Sequence, residues 1–480
     1  QVHDRADIVD VVSRYVSDLK RKGANYMACC PFHNERTPSF LVSPSRNTYH
    51  CFSCGVHGDA IDFVMRLENK SYPEAIEELA KMFGVFLKHT EREQSDEERE
   101  AANKRESMRI VTAKVQEFFV QSLQADTPEA TTARQYAYTR WGEQYCKEVG
   151  IGFAPPDWDA LPEYCRKNTL DEKLLRELDL LRYSEKLKKL YPFFRDRVTI
   201  PITDRYGKVI AFTARYIGKD PDAPKYINNS DSALFKKGET VFGLRNAIRQ
   251  ASKAGRFVIV EGAPDVLRMQ SDAVGLTETV ATLGTAWTEA QFKQLQRYAT
   301  NLCFLPDADL PKPGEPHGAG VKAVMRNGLI ALRMGFNVTV RELPFHQHPV
   351  YVPLFDFEIE ELEAQGKTDF PRQKLISVLY SKNDADSYID SIDTFNKLED
   401  VYFPVWHGLK ALQAAATDTE KASVLNQICA DVLVHIEDET LLNRTLEQLA
   451  KEYGRIKLWR DALQRSRTTR KKEAEAKAKD

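Results

Sequence analysis

Four residues near the start of the chain have the types and spacing of a metal site. Cys30 and His33 form a C-x2-H pair, and seventeen residues later Cys51 and Cys54 form a C-x2-C pair. Zinc takes four thiolate or imidazole ligands in a tetrahedron, and a two-residue gap lets each pair chelate from one tight turn. The long gap is about that of a β-hairpin. Buried thiols that merely cluster are the bland alternative, and a redox role for Cys51 and Cys54 leaves the first pair unexplained. Cys29 adjoins Cys30, and His50 and His57 flank the second pair; Cys30 gives the tighter register. Phe40, Tyr49 and Phe52 fall on the expected strands, with Arg36 and Arg46 on the turns. Rings that stack on bases beside cations that meet phosphates would make a single-strand platform. A small aromatic core under the metal is the competing reading.

A second constellation is acidic. RFVIVEG ends a hydrophobic run in Glu261, with Asp265 one turn into the helix that follows, and NLCFLPDAD ends another in Asp307 and Asp309. Ligands of parallel α/β sheets bind at the carboxyl ends of strands, where these side chains would meet. Like charges so placed repel unless a cation neutralises them. Hard oxygen donors of this kind suit Mg²⁺ or Mn²⁺. Helix capping by Asp265 and Asp309 is the alternative.

The elements that must hold these residues can be read from hydrophobic period. Residues 6–20 and 59–86 show helical spacing, the latter as two helices, and short β-rich runs lie between them. Residues 89–107 lack large apolar side chains and are dense in charge, as in a solvated helix or a tether. Residues 108–250 look mixed α/β, with a strand pair over 197–217. From 256 to 345 strands and helices alternate, which argues for a parallel sheet. An acidic stretch at 346–378 interrupts that rhythm, 395–465 reads as helices, and 466–480 is a charged tail. The expected domains are therefore 1–88, a linker over 89–107, 108–250, 251–394 and 395–465.

Bulk properties frame the reading. The chain has 480 residues, 42% hydrophobic and 29% charged, which is a multidomain globular composition. A formal net charge of −2 confines any nucleic-acid surface to a local patch. No apolar run is long enough for a bilayer and no secretory leader is visible. A cytoplasmic location is expected, where the eight cysteines serve better as ligands or core thiols than as disulfides.

CPFHNERTPSF followed by YHCFSCGVHGDAIDFVM resembles the zinc-binding domain of bacterial DnaG-type DNA primases, a module that reads single-stranded template. The resemblance places the zinc ligands on Cys30, His33, Cys51 and Cys54 and leaves His57 outside the set. The stretch from Arg256 to Asp309 resembles the Toprim domain, with Glu261 as its glutamate, Asp307 and Asp309 as its D-x-D, and VATLGT (280–285) between them. The family's third acidic motif, usually D-P-D, is missing after the next strand. Asp384 and Asp386 in KNDADSYI stand as the displaced motif, with Asp356 and Glu358 competing for that place. FFRDRVTIPITDRYGKVIAFTARYIG and PKYINNSD resemble the amino-terminal half of the primase polymerase core. That likeness points to Arg195, Arg197, Arg215, Lys225, Asn228 and Lys237 as contacts for nucleotide and template. EVGIGFAPPDW (148–158) fits the same region.

The resemblance thus implies a small zinc-ribbon α+β domain, an α/β Toprim-containing polymerase core and a helical carboxyl-terminal region. It implies a primase that joins NTPs on single-stranded DNA with two Mg²⁺ ions. A plasmid- or phage-type member, and a replicative helicase as a separate or fused partner, fit the same reading. Two other functions compete: a Toprim topoisomerase or nuclease, and a zinc protein that binds DNA without catalysis.

Overall fold

The computed structural model describes residues 2–33, 35, 37–68, 70, 72–85, 96–186, 188–284, 286–309, 311–312, 314–343, 346–353, 373–381 and 385–477. Two compact units divide it: residues 1–107 with the short segments 248–256 and 297–299, and the remainder.

The first unit is built on a five-stranded antiparallel sheet in the order β1-β2-β3-β4-β5, comprising Lys20–Lys22, Asn25–Ala28, Phe40–Ser43, Thr48–Cys51 and His57–Gly58. Helices Ile8–Tyr15, Ala60–Leu67 and Tyr72–Phe83 accompany it. Asp7 caps the first of them through Val9 and Asp10 N–H, and Asp59 with Asp62 forms a capping box at the second. The β3–β4 hairpin turns at Asn47, whose φ of 54° is left-handed. Asn is one of the few side chains that tolerate this region. Its side chain also accepts from Ile8 N–H and donates to Ala6 C=O.

A helix spans Asp96–Leu123. It runs unbroken through residue 107, so the expected start of the core at 108 falls inside it. Alanine, glutamate, lysine and arginine are strong helix formers, and their density over 96–107 carries the helix back into the charged stretch.

The second unit contains two principal sheets. One is antiparallel, in the order β11-β10-β9-β6: Tyr226–Asn228, Val209–Tyr216, Arg197–Thr203 and Gly152–Ala154. A separate hairpin pairs β7 (Leu181–Ser184) with β8 (Lys189–Pro192). The other sheet has the order β13-β12-β14-β15-β18: Thr279–Ala281, Arg256–Val260, Asn301–Phe304, Asn337–Val340 and Val401–Tyr402. Here β12 with β13 and β14 with β15 are parallel, and β18 closes the edge antiparallel to β15. The parallel alternation follows from near-continuous apolar strands such as RFVIV, which is buried from Phe257 onward. Helices Ala263–Gln270, Glu289–Gln296 and Ala319–Arg333 connect the strands.

In the region expected as an insertion at 346–378, β16 (His346–Pro353) pairs antiparallel with β17 (Gln373–Ser381), which runs three residues past it. The carboxyl-terminal region is helical: Phe403–Ala414, Asp418–Asp431, Glu439–Glu452 and Ile456–Lys477. The tail expected from 466 is thus helix as far as Lys477. No helix among the described residues is long and apolar enough to cross a membrane.

Candidate zinc module and acidic site

The Cys/His quartet comes together. One ligand atom from each of Cys30, His33, Cys51 and Cys54 lies within 4.8 Å of all the others. Cys30 Sγ is 3.9 Å from Cys54 Sγ, and Cys51 Sγ is 3.9 Å from His33 Nδ1. A tetrahedron with bonds of about 2.3 Å has edges of about 3.8 Å, so the donors already stand at the spacing zinc requires. The β3–β4 hairpin sets this spacing, since it carries Cys51 at its end beside the 30–33 turn. Cys29 lies outside the quartet, with its N–H on Asp18. His50 and His57 also lie outside it and pack on each other at 6.0 Å.

Two supporting residues gave no signal in the spacing. Glu35 accepts from Cys30 N–H (2.7 Å) and Ser39 Oγ (2.6 Å), and its carboxylate lies 3.1 Å from His33 Nε2. A carboxylate behind a ligating imidazole fixes which nitrogen faces the metal. Burial pushes the Glu35 carboxyl up, but hydrogen bonds from Ser39 and Cys30 outweigh it and hold the group below its ordinary value. Ser39 Oγ also lies 3.2 Å from Cys51 Sγ. Burial raises the Cys51 thiol, yet hydrogen bonds led by Cys54 N–H and Ser39 bring it down to about 7.

The structure corrects two of the proposed stacking residues. Phe40 and Tyr49 are 0% and 1% exposed, inside a cluster with Phe32 and Phe63 whose ring centroids lie 5.2–6.0 Å apart. Both strands alternate, and these side chains point to the buried face of the pleat. Phe52 is 69% exposed and packs against His50 at 4.6 Å. Arg46 is exposed at the hairpin turn. Arg36 lies outside the described residues.

In the second unit Glu261 and Asp307 follow the last residues of neighbouring strands, as β12 ends at Val260 and β14 at Phe304. Glu261 Oε1 accepts from Asp307 N–H at 3.1 Å, and Asp309 Oδ2 accepts from Gly320 N–H at 3.2 Å. A Cβ at Gly320 would fall 2.5 Å from Glu261 Oε1 and 2.8 Å from Asp307 C=O. Glu261, the Asp307 main chain and Asp309 therefore border one residue, Gly320, in the first turn of the Ala319–Arg333 helix. Gly320 was missed because its role is to be small at a close approach, which no motif spacing reveals.

Among the described residues, no second group of three or more donors draws together as the zinc quartet does. Carboxylates of like charge spread onto main-chain N–H groups. Their hard oxygens nonetheless fit a divalent cation. Asp265 Oδ2 accepts from Gly262 N–H at 2.9 Å at the start of the Ala263–Gln270 helix. This is the capping role weighed as the alternative for Asp265, and it is compatible with metal ligation, as the like contact of Asp309 with Gly320 is. Ala385 N–H donates to Asp307 Oδ1 at 2.9 Å. Asp384, Asp356, Glu358 and the side chain of Asp386 lie outside the described residues.

The basic residues divide into two groups. Arg197 is buried, donates to Pro224 C=O at 2.8 Å and lies over the Tyr216 ring. It braces β9 against the 224 loop, which corrects its assignment as a nucleic-acid contact. Arg195 lies 3.5 Å over the Trp158 ring, and Arg215 lies between Tyr136 and Tyr226 at 5.9 and 5.4 Å. The Nε atoms of both are buried without a hydrogen-bond partner. Arg140 shares the Tyr136 ring at 5.4 Å. Tyr136 and Arg140 sit four residues apart on the Pro128–Trp141 helix and escaped the sequence reading, because they face a sheet formed much later in the chain. Lys225 and Lys237 are exposed. Asn228 Nδ2 donates to Leu283 C=O at 3.2 Å, and the Lys237 side chain lies against Gly284. These contacts tie β11 and its following loop to the segment after β13.

Comparisons with known proteins follow the same division. Residues 1–95 match the CHC2 zinc finger family, 118–248 the DNA primase catalytic core N-terminal domain, and 258–349 a Toprim-like family. A DNA primase of Pseudomonas putida is 39% identical over 307 residues, covering 64% of this chain and 45% of that protein. One from Halalkalibacterium halodurans is 36% identical over 352 residues, covering 72% and 55%. The chain therefore spans about half the length of these curated relatives. The solved zinc-binding and RNA polymerase domains of the Aquifex aeolicus primase superpose with a TM-score of 0.52 at 29% identity, over 95% of this chain and 97% of that one. The zinc-finger match and the four-donor cluster together support Zn²⁺, and the Toprim-like match implies a divalent metal. In order along the chain, then, stand matches to a CHC2 zinc finger, to the N-terminal domain of the DNA primase catalytic core and to a Toprim-like domain.

Proposed function

We propose that the chain synthesises short RNA primers on single-stranded DNA by nucleotidyl transfer from NTPs. The single observation that carries this is that Glu261, the Asp307 main chain and Asp309 all border Gly320 at the strand ends of a Toprim-like sheet. These residues would hold Mg²⁺ or Mn²⁺, and the sequence order makes Asp384 and Asp386, on either side of Ala385, candidates for the same role. When bound, such ions lower the charge barrier between an attacking 3′-hydroxyl and a triphosphate. The protein's own part is positioning. Arg195 and Arg215 offer N–H donors, and among the described residues no ion pair neutralises them or Lys225 and Lys237, so all four suit phosphate oxygens. Asn228 and Lys237 border the 283–284 turn and would orient the nucleotide.

Cys30, His33, Cys51 and Cys54 would hold structural zinc, and exposed Phe52 with Arg46 would meet single-stranded template. A replicative helicase as partner rests on the family likeness. The topoisomerase and nuclease readings lack an account of the zinc module, and a purely DNA-binding protein lacks one of the acidic centre.

The test is primer synthesis on single-stranded DNA with NTPs and Mg²⁺. Asp309→Asn should abolish product while leaving the melting curve unchanged; undiminished synthesis by that variant refutes the metal-centre reading.

A further inference from the structure

Arg195 and Arg197 stand two residues apart at the entry to β9, yet they meet different partners. Side chains two apart on an extended strand share one face. Here Arg195 lies 3.5 Å over the Trp158 ring, whereas Arg197 is buried, lies 5.0 Å from the Tyr216 ring and donates to Pro224 C=O. The residue between them, Asp196, has a φ of 52°. That is the left-handed region, which side chains other than glycine rarely enter, and a residue that leaves the extended region breaks the alternation of a strand. We propose that Asp196 is a positioning residue: its left-handed backbone parts the two arginines and sets the Arg195 guanidinium on Trp158, in place for a phosphate oxygen. The inference rests on the reading of Arg195 as a phosphate contact and adds what aims it.

The surroundings hold Asp196 in this conformation. Its C=O accepts from Ile217 N–H at 3.1 Å, just past the end of β10. Its carboxylate packs against Gly218, where a Cβ would collide with Asp196 Oδ2 and with the Tyr216 ring. Tyr216 is fixed in turn, since its N–H donates to Lys225 C=O at 2.9 Å and its phenol oxygen accepts from Asp220 N–H at 3.2 Å. Aspartate and asparagine are among the few residues that enter the left-handed region at modest cost. The platform so formed is open, with Trp158 42% exposed. A guanidinium stacked on a ring keeps its N–H edge for a phosphate. The Asp196 charge, which acts on both arginines, is the competing explanation. Asparagine separates the two, because it keeps the conformation and removes the charge.

Equilibrium binding of a fluorescent single-stranded DNA to the whole chain, with the KM for NTP measured beside it, tests the inference. Arg195→Ala should worsen one of the two about tenfold, the scale of one hydrogen bond to a charged group. Asp196→Val should match that loss, because a β-branched residue does not adopt this backbone without strain. Asp196→Asn and Asp196→Gly should stay within about twofold of the unsubstituted chain. In an Arg195→Ala background Asp196→Val should add nothing, since the guanidinium it aims is gone. Gly218→Ala presses on Asp196 from the facing side; it should follow the same pattern, and it carries the test if the valine variant does not fold.

Unchanged affinity and KM in Asp196→Val or, where that does not fold, in Gly218→Ala overturns the inference. An equal loss with and without Arg195 overturns it too, and marks a merely structural role. A loss in Asp196→Asn equal to that in Asp196→Val overturns it in favour of the charge. The underlying reading fails separately: Arg195→Ala without effect on either measurement removes Arg195 as a phosphate contact. Lost template affinity assigns the phosphates of the strand, and a raised KM at unchanged template affinity assigns the triphosphate.

Discussion

Adding one methyl group at Gly320 is the sharpest perturbation the structure offers. The new Cβ would lie 2.5 Å from Glu261 Oε1, 2.8 Å from Asp307 C=O and 3.3 Å from Pro306 Cβ. A carbon and an oxygen in ordinary contact stand about 3.3 Å apart. Relief therefore requires about 0.8 Å of movement at Glu261 and about 0.5 Å at the Asp307 main chain, by difference from that contact distance. The Glu261 side chain can rotate, but the main chain between β14 and the helix cannot move without disturbing Asp309. Overpacking of this kind costs about 1–3 kcal/mol of stability. A misplacement of about 1 Å at a reacting centre costs about 100-fold in rate. Gly320→Ala should thus keep a cooperative melt, lowered by a few degrees, and lose about 100-fold in primer synthesis. The assay is product formed per minute on a single-stranded template, with the melting curve measured on the same preparation. Gly320→Ala with undiminished synthesis would show that Glu261 and Asp307 do not need the arrangement seen, and the argument for a shared metal centre would fail.

Other outcomes test separate parts. Cys51→Ser should lower bound zinc from one ion per chain, measured by atomic emission, because it removes a central donor of the quartet; unchanged stoichiometry would move the site. Phe52→Ala should weaken single-strand binding by about 1–3 kcal/mol with little change in melting. Phe40→Ala should instead cost about 3–5 kcal/mol of stability in the zinc module, and equal effects from both would contradict their opposite burial. His407 is buried, and desolvation lowers its pKa to about 4, below the ordinary 6.5. The neutral form is the folded one, so its contribution is complete above pH 6.5 and is lost as pH falls toward 4. His407→Gln should flatten the decline in melting temperature across that window, and an unchanged slope would count against the burial effect.

What the sequence made legible was whatever is encoded by local spacing. Cys30, His33, Cys51 and Cys54 needed only two tight turns and a hairpin, and their donors stand together as the spacing implied. The alternating strands and helices from 256 to 340 followed from apolar runs of strand length between helical periods. Burial within one strand was harder to read. Phe40 and Tyr49 occupy the inner face of β3 and β4, while Phe52 lies just past the end of β4 and escapes the pleat. Aromatic type alone does not choose between those faces, because the same ring serves a core or a base. Arg197 shows the same limit: it shares a short segment with Arg195, yet only tertiary packing against Tyr216 and Pro224 turns it inward.

The acidic centre depends on a contact between distant parts of the chain, and this is where sequence reading stops. Asp307 is positioned by Glu261 from one strand and Ala385 from a segment seventy-eight residues later. Gly320 is required because three chain segments meet there. Such requirements act through excluded volume, which favours the smallest residue without marking it. A glycine in the first helical turn beside an acidic strand end is a signal only once the fold has brought the two together.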